Sequence, residues 1–196
     1  MPPSLILASQ SSARRQLLAA AGFTFTVEPS DFDEDKVQHC NPQSLVELLA
    51  VKKAETVAAR HAEPALVLGA DSLFALEGEI YSKPRDAAES LQRLQKMQGN
   101  TGYLYTGHAA IDTASKRTVS SVGITKVWFA PMSDTDIRRY IATGEPLACA
   151  GSFALDGYGG LFIERIEGCH SNVIGISLPL VRQLLAELGY AVTDFW

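Results

Sequence analysis

Apolar positions first gather at residues 4–8, a short run that is apolar after Ser4 and predicts an extended segment. The period then changes. Leu17, Leu18 and Ala21 recur at helical spacing behind Ser9 and Ser11, predicting a helix to about Ala21 that stops at Gly22. Val46, Leu49, Lys53 and Val57 form a second helical stripe, interrupted by one lysine. Ser44 and Glu47 have the spacing of a capping box, which would open that helix and carry it to about Arg60. Residues 65–70, ALVLGA, are continuously apolar, the pattern of a strand buried on both faces, with Asp71 at its carboxyl end.

LFALEGEIYSK then reads as a hairpin turning at Glu77–Gly78, and Asp86 with Glu89 opens a helix to about Met97. Alternating segments near 102–113 and 118–130 suit paired antiparallel strands. Ser133 and Asp136 start a helix that ends before Gly144, and the glycines of residues 144–160 predict a loop. GLFIERIEG reads as a strand and LPLVRQLLAELG as the final helix. Helix–strand units mixed with antiparallel strands predict an α/β fold, a mixed central sheet with flanking helices. No internal repeat or linker breaks the chain, so one domain over residues 1–196 is expected, with room for two lobes around a cleft.

Composition narrows the function. Of 196 residues, 46% are hydrophobic and 20% charged, and the net charge of −5 argues against broad nucleic-acid binding, which needs a basic face. A local basic pocket remains compatible with it. Cys40, Cys149 and Cys169 are odd in number and widely spaced, so a disulfide framework is not expected. His39, His61, His108 and His170 show no metal-ligand spacing. The start, MPPSLILASQ, lacks the basic and long apolar regions of a signal peptide, and no apolar run approaches the ~20 residues of a membrane helix. A cytoplasmic protein is the expectation.

Neither a P-loop, a dinucleotide-binding glycine motif, an H-E-x-x-H helix nor a G-x-S-x-G elbow occurs. Hydroxyls, cations and carboxylates at the ends of elements remain. Arg14 and Arg15 stand where a helix begins, the end at which the macrodipole disfavours cations. Either they are solvated, or an anion sits there. Ser9, Ser11 and Arg14 would suit a phosphate. Lys53 must snorkel or meet an anion. Asp71 ends a buried strand, where open α/β sheets collect ligand groups. Lys83 follows the hairpin, Asp86 reads as a helix cap, and Glu34 lies in an acidic loop. Cations with isolated carboxylates point to a polyphosphate and a hard metal ion.

Taken in order, these residues resemble the Maf family of nucleoside triphosphate pyrophosphatases, of inosine-triphosphatase-like fold with a curved sheet. The matching segments are S-x-S-x-x-R at Ser9, Ser11 and Arg14, the acidic-loop Glu34, Lys53–Ala54, Gly69–Ala70–Asp71 and Ser82–Lys83–Pro84. YTG (105–107), GEPL (144–147), AGSF (150–153) and ERIEG (164–168) extend the likeness over nearly the whole chain. The resemblance implies hydrolysis between the α and β phosphates, giving a nucleoside monophosphate and pyrophosphate. It implies Asp71 as proton acceptor, Ser9, Ser11, Arg14, Lys53 and Lys83 as phosphate ligands, and Glu34 with Asp71 as ligands of Mg²⁺ or Mn²⁺. A homodimer is the family expectation, with no nucleic-acid or membrane partner.

Departures fall where the base is chosen. The three specificity positions align with Ala13, Ser72 and Asp156, which fit neither the pyrimidine-type pattern of Arg, Thr and Gln nor the 7-methylguanosine-type pattern of Trp, Gln and Glu. The preferred base stays open, modified nucleotides included. Ser12 replaces the usual proline and Ser82 the usual glycine, and neither change removes a charge. A nucleotide-binding regulator of septum formation is the rival reading; the intact Arg14–Asp71–Lys83 set favours catalysis.

Overall fold

The computed structural model describes every residue except Met1, Asp35, Lys36 and Gln38–Cys40, so His39 and Cys40 lie outside it. Strand β1 (Ser4–Leu7) leads into helix α1 (Ser12–Ala20), short strand β2 (Thr26–Val27) and helix α2 (Pro42–Ala58). Strands β3 (Ala65–Leu76) and β4 (Glu79–Tyr81) form the hairpin, followed by helix α3 (Ala87–Met97). Two long strands, β5 (Thr101–Asp112) and β6 (Arg117–Phe129), precede helix α4 (Asp134–Ala142). Three short 3₁₀ turns lie between Glu145 and Phe162, then strand β7 (Ile163–Glu167) and helices α5 (His170–Ile174) and α6 (Leu178–Leu188). Among the described residues one seven-stranded sheet runs β2-β1-β3-β5-β6-β7, with β4 paired to β3. Parallel β1–β3 pairing and antiparallel β3–β4 and β6–β7 pairing make the sheet mixed, as expected of the α/β class. No helix among the described residues is long and apolar enough to cross a membrane.

Backbone contacts divide the chain into two compact units. The first holds the chain through Asp71, Thr106–Gly123 and Gly175–Trp196; the second holds Ser72–Tyr105 and Ile124–Ile174. In the first unit, alternate residues of β1 and β3 enter separate cores. Leu7, Leu66 and Leu68 pack with Leu18 of α1 and Leu185 of α6, whereas Ile6, Ala8 and Val67 pack with Ala50, Ala54 and Val57 of α2. Apolar cover on both faces explains the unbroken hydrophobic run at 65–70. Helix α2 approaches very closely: a Cβ at Gly69 would collide with the Ala50 carbonyl oxygen, and one at Gly107 with that of Val46. In the second unit Phe74, Phe129 and Phe153 meet edge to face, with centroids 5.0–5.6 Å apart.

Two local expectations change. Helix α2 is capped by Asn41, whose side chain accepts the Ser44 N–H at 3.1 Å with Pro42 in the first turn. Ser44 is therefore inside the helix, and Glu47 accepts the Ser120 hydroxyl at 2.7 Å instead of closing a capping box. Strand β3 continues to Leu76, so Asp71 stands within a strand and not at its end. The residues beyond Asp71 are themselves apolar and buried, which lets the strand run on. The caps at Asp86 and Ser133 form as expected.

Candidate active site

The first unit gathers six of the candidate residues, Ser9, Ser11, Arg14, Glu34, Lys53 and Asp71. Ser11 caps α1, its hydroxyl accepting the Arg14 N–H at 3.3 Å, and the Ser9 hydroxyl accepts the Ser11 N–H at 3.2 Å. The turn between β1 and α1 is thus built by the two serines, and it aims Arg14 inward. The Arg14 guanidinium donates from Nη1 to the Ser9 hydroxyl at 3.1 Å and the Ala70 carbonyl at 2.8 Å, and from Nε to the Gly175 carbonyl at 2.7 Å. Burial pulls its pKa down, opposed by the negative charges of Asp71 and Glu34. A cation in the first turn of α1 is accommodated because two carboxylates and two carbonyls face it. Arg15, its neighbour, is exposed.

Lys53 does not snorkel to solvent. Its ammonium lies 2.5 Å from Asp71 Oδ1 and 2.6 Å from Glu34 Oε1, with 12% of the side chain exposed. The close seating of α2 at Gly69 puts the lysine, the one polar member of an apolar stripe, beside the strand that carries Asp71. Asp71 is 8% exposed, and burial raises its carboxyl above the ordinary range despite the charges of Lys53 and Arg14. A carboxylate held among cations yet more basic than usual can take a proton from a bound water.

Asp71 and Glu34 converge on one ammonium, so two hard oxygen donors already face a single positive centre. That donor set fits a Mg²⁺-type ion, which takes one or two carboxylates and fills its shell with water and phosphate oxygens. Among the described residues no group of three His, Cys, Asp or Glu side chains converges in that way.

The other candidates are placed separately. Ala13 is half-buried on α1 of the first unit. Ser72, half-buried, begins the second unit; Lys83 and Asp156 are exposed on loops of that unit. The Lys83 loop is braced by Arg93, which donates to the Ser82 carbonyl at 2.5 Å, pairs with Glu89 at 2.8 Å and lies over the Tyr81 ring. The Cys149 thiol is pushed up to about 11 by burial and by the charges of Glu145 and Asp156, with Lys83 opposing. It is a poor nucleophile at neutral pH. Cys169 Sγ lies 3.3 Å from the Ser171 hydroxyl.

Sequence reasoning missed the Ala70 and Gly175 carbonyls, because a backbone acceptor 161 positions from Arg14 leaves no mark in a residue pattern. It also missed Arg93, which the Glu89–Arg93 helical spacing could have flagged. His108 is 1% exposed, and its Nε2 accepts the Ser177 N–H at 2.7 Å. Burial lowers its pKa, and its Nε2 lone pair is committed to that N–H.

Comparison with known proteins covers the same stretch of chain. The family model described as Maf-like protein matches residues 4–188. A nucleoside triphosphate pyrophosphatase of Synechococcus sp. (strain JA-2-3B'a(2-13)) is 57% identical over 196 residues, covering 100% of both chains. A protein of the same name from Nostoc punctiforme is 56% identical over 194 residues, 99% of this chain and 98% of that one. A solved HAM1 protein from Coxiella burnetii is 15% identical, with a TM-score of 0.44 over 66% of this chain and 74% of that one. The family model spans both Arg14 and the Lys53–Asp71 pair, and the relatives extend the match to the full length: the chain belongs to the Maf family.

Proposed function

We propose that this chain is a nucleoside triphosphate pyrophosphatase that cleaves between the α and β phosphates. The observation that supports it best is the buried Asp71 carboxylate, raised in basicity and held by the Lys53 ammonium beside the Arg14 guanidinium. Asp71 takes the proton of the attacking water. The water oxygen bonds to the α phosphorus, the bond to the bridging oxygen breaks, and pyrophosphate leaves with that electron pair. Ser9, Ser11, Arg14, Lys53 and Lys83 bind and neutralise the triphosphate, which matters most where negative charge builds up on the leaving oxygen. Glu34 and Asp71 hold the divalent cation, Mg²⁺ or Mn²⁺, whose chemistry is to offset phosphate charge.

Base choice falls to Ala13, Ser72 and Asp156. A carboxylate accepts hydrogen bonds and so suits the paired N–H donors of guanine, while Ser72 has the small hydroxylic character that suits pyrimidine-type sites. The expected enzyme is broad, with Asp156 its main tuning point. Relatives sharing over half the sequence carry the pyrophosphatase name, which supports the reaction class. The test is a panel of common and modified nucleoside triphosphates with Mg²⁺. Monophosphate plus pyrophosphate is the expected outcome; diphosphate plus orthophosphate would refute α–β cleavage, and binding without release would favour a regulator.

A further inference from the structure

Asp156 sits on a glycine-rich stretch without regular secondary structure, between two short 3₁₀ turns of the second unit. An exposed carboxylate there discriminates between bases only if its backbone is held. Two side chains hold it, from both flanks. On one side the Ala154 N–H donates to the Tyr140 hydroxyl at 3.1 Å. On the other, the Tyr158 N–H donates to Glu145 Oε2 at 2.9 Å and the Gly159 N–H to Glu145 Oε1 at 2.9 Å. The Tyr140 hydroxyl donates to Glu145 Oε1 at 2.8 Å and closes the network.

The chemistry of each member suits its place. Every group facing Glu145 in this network is a donor, and an ionised carboxylate is acceptor-only. Tyr140 is 3% exposed on α4, packed with Leu94, Met132 and Ile137, so its hydroxyl is a fixed point. A side chain at Gly157 would collide with Glu145 Oε2, and one at Gly159 with the Tyr140 hydroxyl. The glycines beside Asp156 thus let the carboxylate and phenol close on the backbone.

We infer that Glu145, supported by Tyr140, is a positioning residue that sets base selectivity by fixing the loop bearing Asp156. This rests on the reading of Asp156 as the base-facing group. Glu145→Gln is nearly isosteric but turns an NH₂ toward a backbone N–H, so one arm of the clamp becomes repulsive. Tyr140→Phe removes the Ala154 acceptor and one donor to Glu145 while keeping the packing.

The experiment measures kcat and KM for guanosine triphosphate, uridine triphosphate and base-free ribose 5′-triphosphate. It compares the wild type with Asp156→Gln, Glu145→Gln and Tyr140→Phe. Asp156→Gln should shift the guanosine-to-uridine ratio of kcat/KM toward uridine. Glu145→Gln should flatten the wild-type ratio by roughly tenfold, through KM. Its kcat/KM for ribose 5′-triphosphate should stay within about twofold of wild type. Tyr140→Phe should move the ratio the same way by less, and it carries the comparison if Glu145→Gln does not fold. A shifted ratio in Asp156→Gln with a wild-type ratio in the clamp variants would overturn the inference. So would an equal loss on all three substrates, the mark of general damage. A wild-type ratio in Asp156→Gln itself would instead remove the reading of Asp156 on which the inference stands.

Discussion

Replacing Arg14 by lysine keeps the positive charge in the first turn of α1 and removes the planar fork. In the native protein the fork spans two carbonyls, Gly175 O from Nε at 2.7 Å and Ala70 O from Nη1 at 2.8 Å. A hydrogen bond from a charged donor contributes about 1.5–3 kcal/mol. The lysine ammonium can satisfy one of the two carbonyls, so Arg14→Lys should lose one such bond, about 1.5–3 kcal/mol. For a chain of this size that corresponds to a Tm lower by roughly 3–12 °C. Urea unfolding followed by circular dichroism, with thermal melts alongside, reads both quantities. Ala70 directly precedes Asp71, so loosening its carbonyl should also lower kcat, with a smaller effect on KM. An unfolding free energy within about 0.5 kcal/mol of wild type, with kcat unchanged, would refute the bracing role of the fork.

Two further substitutions test the buried titrating groups. Asp71→Asn should cut turnover by ~10²–10⁴-fold, because a carboxamide cannot take the proton. Burial raises the Asp71 pKa, so its favourable contribution is complete below the unfolded-state value and lost as pH rises through the folded one. Asp71→Asn should therefore be no less stable than wild type at pH 7, and the acid limb of wild-type kcat/KM should lie above the ordinary carboxylate range. A destabilised variant, or a limb at the ordinary value, would count against this. His108 titrates in the opposite sense. Burial, with the Arg14 charge, lowers it to about 4, and its Nε2 is committed as the acceptor of the Ser177 N–H. Its contribution is complete above the unfolded-state value near 6.5 and lost as pH falls toward 4, about 3 kcal/mol in all. His108→Gln should flatten that part of the stability profile; an unchanged slope would show that other groups carry it.

The local elements were written in the sequence because each depends on neighbours a few positions away. The turn at Glu77–Gly78, the caps at Asp86 and Ser133 and the two long strands β5 and β6 all follow from spacing and appear where expected, although β5 is buried without alternation from Thr106 to Asp112. The α2 cap was legible too, in Asn41–Pro42, but Ser44 and Glu47 offered a competing signal of the same form. Lys53 stood out for the same reason: an ammonium on an apolar helical stripe must either snorkel to water or meet an anion, and the chain order fixed the stripe.

Which counter-charge it found was decided only in three dimensions. Lys53 meets both Glu34 and Asp71 because Gly69 and the alanines of α2 let helix and strand approach. Asp71 lies inside β3 because the apolar run resumes beyond it, and burial there outweighs two nearby cations in setting its basicity. Arg14 reaches the Gly175 carbonyl across 161 positions, and Glu145 grips backbone N–H groups at 158 and 159. Residue identity carries charge and helical period, which local spacing reveals. Desolvation and backbone acceptors belong to no single residue type, and they exist only once the chain has packed.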